Sequence, residues 1–499
     1  MSNVASPPAA ERTPRVAIVG AGMSGIGMAC KLKLAGIESF ELFEQWDDFG
    51  GTWHANTYPG LSCDVASRYY QYTFAPNPDW TWVYSPGSEI SAYLHRVADD
   101  FGLRAKTSFS TPVQDATWTG REWVLRTKAG REQRFDFVIT AAGGLVQTRR
   151  PAIPGLESFA GACFHSAEWD HSVPLDGRRI GLVGTGSTGM QVTRALAPRA
   201  AHFTLFQRTP QWIFPLPNFR YGPWTKALYR RRPKLQMTAY RFWATVFEGT
   251  FGRGTVKPGF WRKAIQAGCR AHLRFAVKDP VQRRRLRPDD EPMCKRMVMG
   301  TGYYKLFERP SVELADAGID HVEPRGVVTR DGKLHELDVL VLATGFDAHA
   351  FVRPMELTGT DGVKLSEVWD AEPFGYRSVA LPGFPNVLML IGPHSPFGNQ
   401  SLFAISETQQ DFALGIIERW RRRELDAAAP TQAATDRFMA EVRAAVPNTV
   451  WATGCDSWYL GKDGLPHAWP WVPSRHREML AELEPADWEL RPHDAPVAA

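Results

Sequence analysis

Apolar residues along this chain gather into short runs that close on glycine. Val16–Val19 is a β-branched run of strand type, followed by Gly20-Ala21-Gly22-Met23-Ser24-Gly25. Residues 26–35 then continue with helical spacing. The same order recurs at residues 180–183, at Gly184-Thr185-Gly186-Ser187-Thr188-Gly189 and at residues 190–196. Strand, glycine turn and helix open a Rossmann βαβ unit, so two such units are expected. Two more apolar runs end on small residues: 135–140 enters Ala141-Ala142-Gly143-Gly144, and 337–342 enters Ala343-Thr344-Gly345. These mark passages between domains.

The predicted fold class is α/β, with two Rossmann-like dinucleotide-binding domains, for FAD and for NADP, and a helical insertion. The expected order is an FAD-binding part over 1–148 and an NADP-binding part over 149–220. The insertion covers 221–290. NADP-binding and FAD-binding parts resume over 291–344 and 345–499. In the insertion, Lys and Arg far outnumber Asp and Glu, and Trp224, Phe242, Trp243, Phe247 and Trp261 are interleaved with them. It reads as helices broken around residues 249–259. The plainest expectation is that the aromatics pack inward and the arginines face water. The other is a weak membrane-surface contact.

Composition narrows the class. With 499 residues, 44% hydrophobic and 22% charged, the chain is long enough for two or three globular domains. A net charge of +5 gives no reason to expect a nucleic-acid partner. No run of eighteen apolar residues occurs, and the first fifteen residues, expected to be disordered, lack the build of a signal peptide. Cys30, Cys63, Cys163, Cys269, Cys294 and Cys455 show no paired spacing. Reduced thiols in a cytoplasmic protein are expected, with neither a disulfide framework nor a metal site.

Chemistry enters at the ends of the second strands. Glu44 lies 19 residues after Gly25 (44 − 25), and Arg208 lies 19 after Gly189 (208 − 189). An acid at this place accepts from free ribose hydroxyls, as in FAD. An arginine there binds the 2′-phosphate of NADP(H), with Thr209 beside it.

Between the two units, Phe159, Gly161, His165, Trp169 and Asp170 occupy every fixed position of FxGxxxHxxxW[P/D]. That linker resembles the fingerprint of the type I Baeyer–Villiger monooxygenases, relatives of the flavin-containing monooxygenases. The resemblance runs from Val16 to about Trp471. It implies that His165 acts at a hinge, not as a proton donor.

Further matches are Gly50-Gly51-Thr52-Trp53 with Tyr58-Pro59-Gly60 and Asp64, then Lys295-Arg296 ahead of Tyr303-Tyr304. Gly392-Pro393-His394-Ser395-Pro396 and Asp456-Ser457-Trp458-Tyr459 match as well. The family implies that Arg296 and Asp64 are catalytic, Arg296 countering the charge of a flavin C4a-peroxide and Asp64 holding it. It also implies that Trp458 packs on NADP, and that Gln45, Tyr70, Leu402 and Lys295 join the nucleotide sites. O2 and a small hydrophobic ketone would then give an ester or lactone, with a thioether as a side substrate. Residues 397–402, which shape the substrate pocket in relatives, depart from the best-known members. The alternatives are a flavin-containing N- or S-monooxygenase and a non-catalytic NADP-binding sensor. The oligomeric state is not legible.

Overall fold

The computed structural model describes residues 12–398 and 400–493. Two five-stranded parallel sheets organise it. The first runs in the order Val387–Met389, Phe137–Thr140, Val16–Val19, Phe40–Phe43, Thr107–Ser108. The second runs Val312–Ala315, His202–Phe206, Arg179–Val183, Val339–Leu342, Ala162–His165. All their ladders are parallel. Each glycine turn therefore leaves the middle strand of its own sheet. The inner strands of both sheets are almost fully buried, as expected where helices cover both faces. The return of Val387–Met389 to the first sheet shows that the C-terminal part completes the fold begun at Val16.

The two turns are built alike. A Cβ on Gly20 would stand 2.5 Å from the Ala141 carbonyl oxygen, and one on Gly184 would stand 2.3 Å from that of Ala343. A Cβ on Gly25 would meet the Gly20 oxygen at 1.9 Å, and one on Gly189 the Gly184 oxygen at 2.2 Å. The third glycine thus lets the first helical turn lie against the strand end. This packing moves the helix starts. They span Met23–Leu34 and Ser187–Leu196, one turn before the expected 26 and 190. Glycine disfavours the helix interior, yet here tertiary contact places Gly25 and Gly189 inside the first turn.

Three more expectations are corrected. The run 135–140 is two elements: Glu132–Phe135 belongs to an antiparallel sheet and Phe137–Thr140 to the nucleotide sheet. The strand expected from 337 begins at Val339. Within the expected break at 249–259 the insertion stays helical through Glu248–Gly252 and Arg253–Val256, and only 257–259 leave the helix.

The disorder expected over 1–15 does not hold at its end. Arg12 pairs with Asp426 at 2.5 Å, and Arg15 with Asp136 at 3.1 Å. Residues 1–11, like Asn399, lie outside the described residues. The cysteine expectation also fails in part. Cys294 and Cys455 form a disulfide, although 161 residues separate them. Spacing reveals local pairs, and this one is brought together only by the fold. Cys30, Cys63, Cys163 and Cys269 are free.

Candidate active site

The helix beginning at Met23 has Gly22 as its cap residue, and the helix beginning at Ser187 has Gly186. Neither has a side-chain cap, so the N–H groups of both first turns remain for an outside acceptor. A Cβ on Gly186 would meet nothing within 4 Å, which leaves room for a diphosphate. In the first turn the backbones of Gly22 and Gly51 nearly touch, since a Cβ on Gly51 would lie 2.8 Å from the Gly22 Cα. These open helix ends fit two dinucleotides.

The residues at the two ribose positions differ in setting. Glu44 is buried, and its Oε2 accepts from the Ala21 N–H at 2.6 Å while Oε1 accepts from the Trp46 N–H at 3.0 Å. It braces the first glycine turn. Burial outweighs these donors and raises its pKa. Gln45 beside it is exposed. Arg208 is exposed and forms no ion pair among the described residues. Thr209 accepts, through its carbonyl, from the Thr185 hydroxyl at 2.6 Å.

Around the first turn, Trp53 Nε1 donates to the Tyr70 hydroxyl at 3.3 Å, with the rings edge to face. Ser24 bonds Ser406 on the helix that starts at Leu402. Thr52 opens a short helix and accepts from Asn56.

The strip from Tyr58 to Asp64 crosses from the first unit to the second. Gly60 has φ +87°, and a Cβ there would lie 2.6 Å from the Gln191 carbonyl oxygen on the Ser187–Leu196 helix. The Tyr58 hydroxyl donates to Gln191 Oε1 at 2.9 Å and accepts from Thr188 at 3.3 Å. Gln191 Nε2 donates back to the Ser62 carbonyl at 2.9 Å. Four residues on, Asp64 receives Arg296 Nη2 at 3.0 and 2.9 Å on its two oxygens. The Asp64 charge raises the Arg296 pKa, so this guanidinium is a permanent cation. Its side chain keeps 38% exposure and remains reachable. Lys295 pairs with Asp290 at 2.9 Å and points its charge elsewhere.

Tyr459 packs its hydroxyl against Arg296. Trp458 stacks on Tyr459 with ring centres 4.2 Å apart and stays 42% exposed. The disulfide joins Cys455, three residues before Trp458, to Cys294, two before Arg296. His349 donates to the Trp458 carbonyl at 2.9 Å, and His467 pairs with Glu372 at 2.8 Å. Together these hold both ends of the 455–467 segment. The 392–396 loop is buried: His394, its pKa lowered by burial to about 3, bonds the Pro466 carbonyl, and Ser395 accepts from Gln409.

In the linker, Gly161 lacks a side chain because a Cβ would stand 2.4 Å from the Asp338 oxygen and 2.7 Å from the Phe159 ring. His165 is fully buried, in register with Leu342, and its Nδ1 accepts from the Ala167 N–H at 3.2 Å. Burial lowers its pKa. Trp169 packs on Phe164 at 5.0 Å, and Asp170 turns the chain through Ser172. No linker side chain bonds Arg296 or Asp64 among the described residues. The interface residues Tyr58, Gly60, Gln191 and Tyr459 escaped assignment from sequence. Tyr58, Gly60 and Tyr459 stood inside matched motifs without a role of their own, and Gln191 had no signal.

The family description "Flavin-binding monooxygenase-like" matches residues 13–239. An uncharacterized monooxygenase of Mycobacterium tuberculosis is 52% identical over 484 residues, with 97% of each chain covered. A Baeyer–Villiger monooxygenase of Streptomyces coelicolor is 34% identical over 97% of this chain and 94% of that one. The chain belongs to the Baeyer–Villiger monooxygenases. Among solved structures, cyclohexanone monooxygenase from Rhodococcus sp. bound to NADP+ superposes with a TM-score of 0.86. It is 30% identical, and the match covers 96% of this chain and 99% of that one.

Proposed function

We propose that this monooxygenase binds FAD at the Gly20–Gly25 turn and NADPH at the Gly184–Gly189 turn, and converts small hydrophobic ketones to esters or lactones at Arg296. The observation that carries this reading is the Asp64–Arg296 pair, at 2.9 Å, beside the strip that joins the two turns. When bound, NADPH supplies hydride and the flavin activates O2. The chain's own residues then do three things. Arg296 offers a fixed cation where negative charge builds on the oxygenated substrate. Asp64 keeps that cation oriented, and Tyr459 limits its movement. Trp458 covers the nicotinamide side and keeps water out.

Glu44 and Gln45 serve the FAD side, with Met23, Ser24, Thr52, Trp53, Tyr70 and Leu402 around it. Arg208 and Thr209 take the 2′-phosphate. His165 sits between the units as a positioning residue. The sequence 397–402 sets which ketone enters, and a thioether is the expected side substrate. Dependence on NADPH assigns the reaction to the cytoplasm.

Arg296→Ala tests the reading. This variant should bind FAD and oxidise NADPH, yet give no ester from a ketone. Ester formation at the normal rate would overturn the role of Arg296. A thioether assayed beside the ketone separates this reading from an enzyme that oxidises sulfur alone.

A further inference from the structure

Of the thirteen large apolar side chains exposed among the described residues, eight lie between Phe219 and Phe275. Water-facing aromatics concentrated in so short a stretch need a reason. The sequence reading expected Trp224, Phe242 and Trp261 to pack inward. They are instead 89%, 59% and 42% exposed. Only Phe247 of that set is buried, and Trp243 is partly so.

Three helices form the layer: Pro223–Arg231, Pro233–Phe247 and Phe260–Ala276, of 9, 15 and 17 residues. None of them contains Asp or Glu. On the third, Ile265, Cys269 and Leu273 are buried at a spacing of four and face the core. The opposite face carries Phe260 and Phe275, 75% and 79% exposed, with Lys263, Arg270 and Arg274 between them. On the first, Trp224, Leu228 and Arg231 share one exposed side at i, i+4 and i+7. On the second, Phe242 stands next to Arg241, and both are exposed.

The cations are unusually free. Arg230 pairs with Asp79 and Arg270 with Glu291. Arg231, Arg232, Lys234, Arg241, Lys263 and Arg274 have no ion pair among the described residues. Elsewhere among the described residues about half of the exposed arginines meet a carboxylate, among them Arg104, Arg131 and Arg437. Three acid-free helices with mostly unpaired cations and protruding Phe, Trp and Leu match one partner chemistry; Glu248, the one acid in the 219–275 stretch, is taken up by Arg477. Anionic headgroups would take the cations and the acyl boundary would take the rings.

We propose that the 219–275 helical layer docks the enzyme on the surface of an anionic phospholipid bilayer, Phe260 and Phe275 inserting while Lys263 and Arg274 contact headgroups. A second copy is a poorer fit, since facing layers would bring unpaired cations together. Nucleic acid would satisfy the arginines but give no burial to Phe260 or Phe275. No helix among the described residues is long and apolar enough to cross a membrane, so the contact is peripheral. Nothing in it depends on which ketone is oxidised.

The test is co-sedimentation of the FAD-loaded enzyme with phosphatidylcholine vesicles, with and without one third phosphatidylglycerol. Binding should require the anionic lipid and fall steeply between roughly 50 and 300 mM salt, a span that shortens the screening length about 2.4-fold. Each cation removed by Lys263→Gln or Arg274→Gln should weaken partitioning by about fivefold. F260S/F275S should weaken it further and abolish any blue shift of Trp fluorescence. NADPH oxidation in solution should be unchanged in all variants, which shows that they fold. The proposal is overturned by no binding, by equal binding to neutral vesicles, by variants that bind like the parent, or by a dimer in solution that F260S/F275S dissociates. Binding to duplex DNA that exceeds binding to anionic vesicles at equal salt overturns it in favour of nucleic acid.

Discussion

Gly60→Ala attacks the contact between the flavin-side strip and the NADP-side helix without removing any hydrogen-bonding side chain. At φ +87° an alanine is strained by about 1–2 kcal/mol. Its methyl would also begin 2.6 Å from the Gln191 carbonyl oxygen, well inside ordinary contact. Overpacking of that kind costs about 1–3 kcal/mol. The neighbour is helix backbone, so relief requires the Ser187–Leu196 helix to move off the strip. In the proposed function NADP+ sits on the N-terminus of that helix and needs it in place. If about 2 kcal/mol must be recovered on binding, its Kd rises about thirtyfold. The Gly20–Gly25 turn is untouched, so the ratio of flavin absorbance to protein should stay at the parent value. Titration calorimetry with NADP+ gives the Kd. A Kd within twofold of the parent, with normal FAD content, would refute the coupling. Should the variant lose FAD, Gln191→Ala provides the gentler test. It removes the bonds to Tyr58 and Ser62 without a collision and should still weaken NADP+.

Arg208→Ala should cut the preference for NADPH over NADH by about 10- to 100-fold, the worth of a charge-assisted contact, as read from kcat/KM with each coenzyme; an unchanged ratio removes Arg208 from the site. His476 is fully buried, neither ring nitrogen has a hydrogen-bond partner among the described residues, and burial holds its pKa at about 3 against 6.5 when free. Between those values the unfolded chain takes up a proton that the native state refuses. Stability therefore falls as pH falls from 6.5 towards 3, by up to about 1.4 kcal/mol per unit for this group. His476→Leu should flatten the pH dependence of Tm in that window, and equal slopes for parent and variant would contradict the assignment. Cys294→Ser should raise the KM for NADPH about 2- to 10-fold with FAD content unchanged, because the Trp458 segment loses one anchor; the parent in excess dithiothreitol should behave alike, and no change in either would show that the cross-link does not serve the site.

Glycine made most of the nucleotide-binding architecture readable. Gly20, Gly25, Gly184 and Gly189 are demanded by backbone contacts under 3 Å, so their spacing reports packing that any such turn must have. Glu44 and Arg208 were equally legible, because a fixed count of residues leads from the turn to the next strand end. The Asp64–Arg296 pair was legible only through family resemblance, since 232 residues separate the partners and no local pattern links them. The same distance problem hid the Cys294–Cys455 bond and the Tyr459 contact. The exposed aromatics of the insertion escaped for another reason. Basic and aromatic residues alternate in the sequence whether rings turn in or out, and only the position of Ile265, Cys269 and Leu273 against the core decides which face of the helix meets water.

The 455–467 segment is pinned near one end by a covalent bond and near the other by the Glu372–His467 pair, with His349 on the Trp458 carbonyl between them. A side chain carried on such a strap has little backbone freedom left to surrender. In the proposed function Trp458 packs on the coenzyme, and the conformational cost of bringing its indole near would then largely be met during folding. Because Cys294 lies two residues from Arg296, the same bond ties the strap that carries the tryptophan to the segment that carries the guanidinium.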